Sequence, residues 1–236
     1  MIKKILYRDG KYYYWAQGDL HTNFGVVKET EIKKAKGNVN SHTGKDFLIF
    51  GATFADQFKK IKRGPAIMLK KDIGIVLTNT GIGKDSVVLD AGTGCGVMAA
   101  SLARFVKKVV TYERNKEFYE LSKKNFEFLE IENVQQKNKD VYEGITEKDL
   151  DMVFLDLPEP WQALKHVHKS LKSGHFVVCY IPTIVQVMDL IKSSKGFKHE
   201  RTVEILERDW HVDGKKVRPK NQMLGHTGFL VFLRRI

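Results

Sequence analysis

The stretch VVLDAGTGCG at residues 87–96 decides the fold of this 236-residue chain. An apolar run ends at Asp90, and the apolar spacing of the next segment, VMAASLARFV, is that of a helix beginning at Val97. Between them glycine occupies every second position, at Gly92, Gly94 and Gly96. Glycines at such a turn let the backbone bend tightly and approach a ligand closely. The stretch therefore predicts a strand, a ligand-binding loop and a helix.

The spacing of this loop indicates which ligand it suits. A dinucleotide-binding turn has the pattern G-x-G-x-x-G, whereas this loop reads G-x-G-x-G and carries Asp90 two residues before its first glycine. An acid at that point suits a cationic group, such as the amino acid end of S-adenosylmethionine, better than a pyrophosphate. We predict that the loop, with Thr93 and Cys95, binds S-adenosylmethionine. A plain strand-to-helix turn without a ligand is the alternative.

Strand and helix patterns alternate on the C-terminal side of the loop. Apolar runs predict strands at 108–112, 134–137, 151–156, 175–181 and 227–233. Helical spacing predicts helices at 116–129, 162–171 and 183–193, the second of them stopped by Gly174. This order predicts an α/β fold with a doubly wound parallel sheet and an antiparallel edge.

The N-terminal 60 residues have a different pattern. Short apolar runs broken by glycines predict strands at 11–15, 24–27 and 46–50, and a helix is predicted at 52–60 before the break at Gly64-Pro65. We therefore predict a small β-rich domain over residues 1–60 and a larger domain over residues 61–236.

Acidic residues follow the second and third strands of the larger domain. Glu113 lies about twenty residues after the glycine loop, where a carboxylate can accept hydrogen bonds from both ribose hydroxyls of a bound nucleoside. Asp140 can bond an adenine amino group while the backbone N–H of Val141 meets a ring nitrogen. The alternative for both acids is a solvated carboxylate at a strand end or turn.

Two further segments carry candidate substrate residues. DLPEPW, residues 156–161, brings Asp156 to the carboxyl end of the sheet and offers Trp161 as a stacking surface for a base. RPKNQMLGHTGFLVF, residues 218–232, contributes Arg218 and His226, and the preceding basic stretch suits phosphate and base contacts. The alternative for DLPEPW is a rigid loop, and the alternative for the basic stretch is a solvated hairpin. The alternative for His226 is a hydrogen-bonded structural histidine.

Charge and composition narrow the function classes. The net charge is +12, and residues 1–70 carry +8 and residues 196–236 carry +4, while the middle of the chain is balanced. Basic flanks suit a polyanionic partner, although a basic protein without a nucleic acid ligand is the alternative.

No apolar run approaches the roughly 18 residues of a membrane span, and the first ten residues do not suit a secretory signal. The two cysteines exclude a disulfide framework, the histidines lack metal spacing, and we expect no metal and a cytoplasmic location.

Taken in order, these motifs resemble class I S-adenosylmethionine-dependent methyltransferases. More closely, the chain resembles the archaeal branch of the TrmI-type tRNA (adenine-N1)-methyltransferases. The segments that carry this likeness are AGTGCG at 91–96, the Tyr112-Glu113 pair, DLPEPW, and the ending RP…M-x-GHTGFL. In the segment at 63–72 the chain departs from the family pattern at Ala66, Leu69 and Lys70.

The resemblance implies a fold, an activity and roles for residues. It implies a small N-terminal β domain followed by a seven-stranded Rossmann-like domain, and a homotetramer. It implies methyl transfer from S-adenosylmethionine to N1 of adenines 58 and 57 in the T loop of tRNA. Asp156 is then the catalytic residue, close to the transferred methyl group, and Glu113, Asp140 and Val141 contact the nucleoside.

Two other function classes remain open from the sequence. A class I methyltransferase acting on a small molecule or a protein carboxyl group has the same glycine loop, but it gives the basic flanks no purpose. A non-catalytic tRNA-binding paralogue has the flanks but needs no intact acids in the cofactor site. Assays with tRNA against small molecules, and a cofactor titration, separate these alternatives.

Overall fold

The computed structural model describes residues 1–64 and 67–236, which form two compact units. Unit 1 comprises Met1–Ile61 with Phe128–Glu130, and unit 2 comprises Lys62–Glu127 with Ile131–Ile236. The predicted break at Gly64-Pro65 falls in part on a position outside the described residues, as does Ala66.

Unit 1 is built around a four-stranded antiparallel sheet in the order β2-β1-β6-β5, and β3 and β4 form a separate hairpin. Its core lies on one face of the sheet, where Leu6, Trp15, Phe47 and Ile49 pack together. The elements in chain order are β1 (Lys4–Arg8), β2 (Lys11–Trp15), β3 (Leu20–Thr22), β4 (Gly25–Val27), α1 (Glu29–Lys34), β5 (Gly37–Asn40), β6 (Asp46–Gly51) and α2 (Phe54–Gln57).

The helix predicted at 52–60 is shorter than expected. It runs only from Phe54 to Gln57, and the reciprocal capping box of Thr53 and Asp56 fixes its start. Gln57 is buried, and its side chain bonds both the N–H and the carbonyl of Ile2. These bonds tie the helix to the start of the chain.

Unit 2 contains the seven-stranded sheet. Its elements in chain order are α3 (Lys70–Thr80), β7 (Val87–Ala91), α4 (Val97–Leu102), β8 (Lys108–Tyr112), α5 (Lys116–Phe128, whose last residue falls in unit 1), β9 (Val134–Lys137), β10 (Leu150–Asp156), a 3-10 turn (Pro160–Ala163), α6 (Leu164–Ser170), β11 (Leu171–Ile181), α7 (Ile184–Ser193), β12 (Phe197–Val203), β13 (Trp210–Asp213), β14 (Lys216–Pro219) and β15 (Phe229–Arg235). Helix α3 was not predicted.

The strand order β12-β15-β11-β10-β7-β8-β9 confirms the predicted seven-stranded Rossmann-like fold. Five strands from β11 to β9 are parallel neighbours, and β15 runs antiparallel to both β11 and β12. The predicted antiparallel edge is present: β12 is the edge strand, and it pairs in antiparallel register with β15, which lies one place in from the edge. The central strands of this sheet are mainly apolar and buried, as strands covered on both faces usually are, and Asp90 and Thr111 are buried polar exceptions.

The predicted helix at 162–171 is divided and ends earlier. Residues 160–163 form a 3-10 turn with proline at its first position, and α6 continues only to Ser170. Strand β11 already begins at Leu171, so the predicted stop at Gly174 lies inside a strand. Gly174 has φ +78°, and the register of β11 against β10 shifts in this region, so the glycine serves a strand irregularity.

Within the described residues, no helix is both long and apolar enough to cross a membrane. The same part of the chain contains no cluster of three or more His, Cys, Asp or Glu side chains suited to a metal ion.

Candidate cofactor cleft and active site

A cleft of about 350 Å³ opens where the chain order of the sheet reverses, between β7 and β10. Ligands of open α/β sheets bind at this point, outside the carboxyl ends of the strands. Eight of the predicted site residues line the cleft: Gly92, Thr93, Gly94, Cys95, Glu113, Asp140, Val141 and Asp156.

Gly92 brings the glycine loop against the end of β10. Its φ is +90°, and a Cβ atom at this position would lie 2.1 Å from the carbonyl oxygen of Asp156. No residue with a side chain fits there without moving the backbone of β10. The loop and the strand that carries Asp156 are therefore in direct backbone contact.

A chain of buried hydroxyl groups supports the loop from below. Asp90 is buried and accepts a hydrogen bond of 2.7 Å from the Thr111 hydroxyl, which also lies 2.6 Å from the hydroxyl of Thr93. Burial raises the pKa of Asp90 to about 7, the Thr111 bond opposes this, and the nearby Asp156 and Glu113 carboxylates add to the rise. Among the described residues, the second carboxyl oxygen of Asp90 has no partner. An unpartnered buried acid is suited to a polar or cationic group from a ligand.

Glu113 is fixed by the backbone on both sides. One of its carboxylate oxygens accepts from the N–H of Gly94 at 2.9 Å, and the other accepts from the N–H of Asn115 at 2.8 Å. The side chain is almost fully buried, yet it lines the cleft. Each carboxylate oxygen keeps a further lone pair, so the group can still accept bonds from the hydroxyls of a ligand.

Asp140 is held by its own turn. One oxygen accepts from the N–H of Tyr142 at 2.9 Å, and the other lies 3.3 Å from the Arg114 guanidinium. Val141 is buried beside it. This arrangement leaves an acid and an apolar side chain together at one end of the cleft.

Asp156 ends β10 inside the cleft. Solvent reaches the residue, but the surrounding protein desolvates its carboxyl group and raises the pKa to about 6. The carboxylate form therefore predominates at pH 7, and it is an acceptor with few competing partners. It lies opposite Tyr180 in the register between β10 and β11.

Five predicted site residues do not line the cleft. Asp90 and Gly96 belong to its supporting structure, and Gly96 packs against the ring of Phe126. Trp161 is half-buried against the core. The other two, Arg218 and His226, lie in the C-terminal segment.

Arg218 and His226 of the C-terminal segment are each held by contacts to other residues of the protein. Arg218 donates to the side chain of Asn221 at 2.6 Å on the exposed strand β14. The ring of His226 bonds Glu204, which raises its pKa, and approaches the carbonyl oxygen of Pro182 at 2.7 Å. Both ring nitrogens of His226 therefore have partners within the protein.

A buried ion pair near the start of α3 was missed by the sequence reasoning. The Lys71 ammonium lies 2.8 Å from Asp72 and donates to the Thr227 hydroxyl at 2.7 Å. Both charged side chains are buried, and Tyr180 donates to the carbonyl of Thr227 at 2.6 Å. These bonds join α3, β11 and the segment before β15. The burial of this pair could not be read from the sequence, because helix α3 was not predicted.

Several lining residues were also not predicted. The cleft is also bordered, beside the predicted residues, by Met68, Arg114, Asn115 and Tyr142. Asn115 caps α5 by accepting from the N–H of Glu117 at 2.8 Å. Two of the four, Arg114 and Tyr142, are immediate neighbours of predicted residues, so adjacency to Glu113 and Val141 was the available signal for these two.

The two cysteines have no nucleophilic arrangement. Cys179 is fully buried, and burial raises the pKa of its thiol. Cys95 is buried in the loop, and its backbone carbonyl accepts from the Asn125 amide at 2.8 Å. Both behave as small buried side chains.

Comparison with known proteins places these features in a family. Residues 60–222 match the family model described as the tRNA methyltransferase complex GCD14 subunit. The chain is similar to the tRNA (adenine(57)-N(1)/adenine(58)-N(1))-methyltransferase TrmI of Methanocaldococcus jannaschii, with 35% identity over 90% of this chain and 86% of the relative. It is also similar to the tRNA (adenine(58)-N(1))-methyltransferase TrmI of Thermus thermophilus, with 33% identity over 92% of this chain and 89% of the relative.

Solved structures give the same likeness. A SAM-dependent O-methyltransferase from Thermotoga maritima matches with a TM-score of 0.85 and 28% identity, covering 100% of this chain and 93% of the other. The tRNA (m1A58) methyltransferase TrmI from Aquifex aeolicus matches with a TM-score of 0.82 and 28% identity, covering 99% and 96%.

Proposed function

The chain belongs to the family of the tRNA methyltransferase complex GCD14 subunit, and from this premise we propose that it methylates N1 of adenine in the T loop of tRNA. It is an S-adenosylmethionine-dependent tRNA (adenine-N1)-methyltransferase. The observation that carries the proposed mechanism is the contact between Gly92 and Asp156, which puts an acceptor carboxylate next to the cofactor loop.

The cleft suits S-adenosylmethionine at three points. The glycine loop above Asp90 suits the cationic amino acid end, and Glu113 suits the ribose hydroxyls. Asp140 and Val141 suit the adenine ring. When bound, the cofactor supplies an electrophilic methyl group on a sulfonium. The protein fixes the acceptor atom in line with that group, which is its main catalytic task.

Asp156 acts on the target base. N1 of adenine is neutral and has a free lone pair, so no strong base is needed to activate it. In the proposed mechanism the Asp156 carboxylate accepts a hydrogen bond from the exocyclic N6 amino group. That bond moves electron density toward N1 and stabilises the positive charge that N1 acquires. A carboxylate with a pKa of about 6 remains ionised at pH 7 and can serve this role.

The substrate must reach the cleft as a single base. A T-loop adenine is stacked within folded tRNA, so the enzyme has to extrude it. Phosphate contacts come from the basic residues 1–70 and 196–236, whose net charges are +8 and +4. Trp161 and Arg218 lie outside the cleft itself, and we retain them, with His226, as candidate contacts to the RNA around the target base.

We propose position 58 as the main target and position 57 as a second one. The Methanocaldococcus relative is named for both positions, and the Thermus relative for position 58 alone. Leu69 occupies the N-cap position of α3 without a side-chain capping bond, and Lys70 is the first residue of that helix; both replace the residues that are usual in the family.

One experiment tests the proposed function directly. An unmodified tRNA transcript is incubated with the protein and S-adenosylmethionine, and its nucleosides are analysed by mass spectrometry. We expect 1-methyladenosine at position 58, with a smaller amount at 57 in transcripts that carry adenine there. A transcript with guanine at both positions is the control. Absence of 1-methyladenosine from the first transcript, with the cofactor bound, would contradict the proposal.

O-methyl transfer is the second candidate, because the Thermotoga structure carries that name. To test it, small molecules with hydroxyl or carboxyl groups replace the tRNA in the same reaction mixture, and their methylation is measured. A non-catalytic tRNA-binding subunit is the third candidate. Calorimetry with S-adenosylmethionine distinguishes it, since such a subunit binds tRNA without the cofactor.

We propose a homotetramer located in the cytoplasm, where tRNA is modified. Strands β13 and β14 form an exposed two-stranded ribbon, and Val212 pairs with Val217 on one face while His211 pairs with Arg218 on the other. An isolated two-stranded ribbon is marginal in water. Its apolar face, completed by Trp210 and Pro219, suits a second copy of the chain. Native mass spectrometry of the parent and of Val212→Lys tests this, with a smaller assembly expected for the variant.

A further inference from the structure

The four-stranded sheet of unit 1 has a second face that is rich in tyrosine. In its antiparallel register Tyr12 pairs with Tyr7, and Tyr7 pairs with Leu48, so these three side chains form one row on the same face. A second row follows, in which Ile5 lies between Tyr14 and Phe50. The core of the unit lies on the opposite face, behind Leu6, Trp15, Phe47 and Ile49. The tyrosine face is defined here as Tyr7, Tyr12, Tyr14, Leu48 and Phe50.

Much of this face is accessible. Tyr12, Leu48 and Phe50 are exposed, whereas Ile5 is buried between its neighbours. The rings of Tyr7 and Tyr12 lie 4.9 Å apart at 46°, which holds them together and leaves the outer surface of Tyr12 uncovered. The face therefore offers flat aromatic surface whose orientation is already fixed.

Cations border the face. The ammonium of Lys60 lies 4.6 Å from the ring centre of Tyr14, and Lys3 continues the same side of β1. Neither lysine forms an ion pair within the part of the chain that the structure describes. One carboxylate, Asp46, lies at the far corner, where it accepts from the Asn38 amide. The cationic end and the aromatic rows suit a strand with negative phosphates and flat bases.

We infer that the tyrosine face binds an unpaired stretch of the tRNA substrate, with a base stacked on Tyr12 and a phosphate at Lys60. This inference rests on the proposed function for the identity of the RNA. Sheets that bind single-stranded nucleic acid combine exposed aromatic rings with basic side chains in this way, and every base has a face that can stack. The apolar face of the β13–β14 ribbon differs, because it has two paired valines at its centre and its cations lie on its other side.

The first test compares ring removal with ring retention. An unmodified tRNA transcript is titrated with parent, Tyr12→Ala and Tyr12→Phe at one salt concentration. We expect Tyr12→Ala to weaken binding about tenfold, the typical effect of losing one stacked ring, and Tyr12→Phe to bind like the parent. The matched control is Phe105→Ala, since Phe105 is 55% exposed and Tyr12 is 57% exposed. Cofactor affinity should not change in any of the three variants.

The second test concerns the phosphate. Lys60→Gln should flatten the slope of log affinity against log salt by about 0.7, the value for one contact to a single strand. Tyr12→Trp gives an independent readout, because a base stacked on the new indole should quench its fluorescence. The total tryptophan fluorescence of this variant should therefore fall more on adding tRNA than that of the parent. This variant keeps a ring, so it also reports if Tyr12→Ala fails to fold.

Each outcome has a defined meaning. Equal tRNA affinity of parent and Tyr12→Ala overturns the inference, as does equal weakening by Tyr12→Phe. A smaller assembly of Tyr12→Ala in native mass spectrometry also overturns it, because the face would then be a contact between copies. If the parent methylates tRNA but Tyr12 has no effect, only the inference fails. If Tyr12 controls tRNA binding but no 1-methyladenosine forms, only the proposed function fails.

Discussion

The cleft of unit 2 and the tyrosine face of unit 1 handle polar groups in opposite ways. In the cleft Glu113 is held by two backbone N–H groups and Asp140 by the N–H of Tyr142, and the supporting acid Asp90 is held by the Thr111 hydroxyl. At the tyrosine face the polar groups are exposed, and Lys3 and Lys60 form no ion pair among the described residues. Chemistry on a single atom needs fixed groups, whereas a polyanion can be held by mobile charges. Variants in the two regions should therefore change different measurements.

The largest expected effect is on the rate, from Asp156→Ala. Loss of one preorganised electrostatic group costs on the order of a hundredfold in turnover, and we expect at least that loss. Affinity for S-adenosylmethionine should fall less than the rate, and tRNA affinity should not change. Single-turnover methyl transfer, calorimetry and tRNA binding measure the three quantities. Near-normal turnover would remove Asp156 from the mechanism.

Glu113→Ala should act mainly on the cofactor. Losing a charged acceptor of hydrogen bonds costs about 1.5–3 kcal/mol, which corresponds to roughly ten- to a hundredfold in affinity. Calorimetry with S-adenosylmethionine measures this loss, and Glu113→Gln, which keeps an acceptor oxygen, should lose less. Unchanged affinity in the alanine variant would refute the ribose role.

The pH profile should show the raised pKa of Asp156. Because that pKa is about 6, the carboxyl group becomes protonated as the pH falls below 6, and it then loses its acceptor charge. We expect kcat/KM to fall about tenfold for each pH unit below that value. Asp156→Asn, which has no titrating group, should lack this limb at its lower rate. A parent profile that is flat between pH 5 and 7 would contradict the role of the carboxylate.

The smallest expected effect is on tRNA affinity, from replacing Lys33, Lys34 and Lys36 with Gln. Each lysine that meets a phosphate should contribute about 0.7–0.9 to the slope of log affinity against log salt. Lys33 lies 3.0 Å from Glu29 in α1, so Lys34 and Lys36 should account for most of the change. Cofactor affinity should stay the same. Identical slopes for parent and triple variant would shift attention to the lysines and Arg218 of the C-terminal segment.

Much of unit 2 was readable from the sequence because its signals are local. The loop at 91–96 and the apolar runs that follow it predict strands and helices at nearly their observed positions. The insertion of β15 between β11 and β12 was not readable, since strand order depends on contacts far apart in the chain. Helix α3 was missed for a related reason. Its buried residues Asp72 and Thr80 are polar, so its apolar periodicity is weak.

The positions of three acids at the cleft could be predicted because each of them lies at or after the end of a strand. Glu113, Asp140 and Asp156 each end or follow a parallel strand, and parallel strands bring such residues to one edge. His226 has the residue type of a catalytic group, but its partners Glu204 and Pro182 come from other segments and occupy both ring nitrogens. The tyrosine face was hidden because the sequence KYYYW gives no sign of which tyrosines face solvent.

The position of β15 has a consequence for synthesis of the protein on the ribosome. While the chain is still emerging, β11 presents an open edge, and the partner that closes it, β15, comes after the other strands of this sheet in chain order. An unpaired apolar edge of this kind can pair with other chains. The nascent chain therefore has a period in which the glycine loop already exists but the sheet remains open. Chaperone dependence should be concentrated in that period.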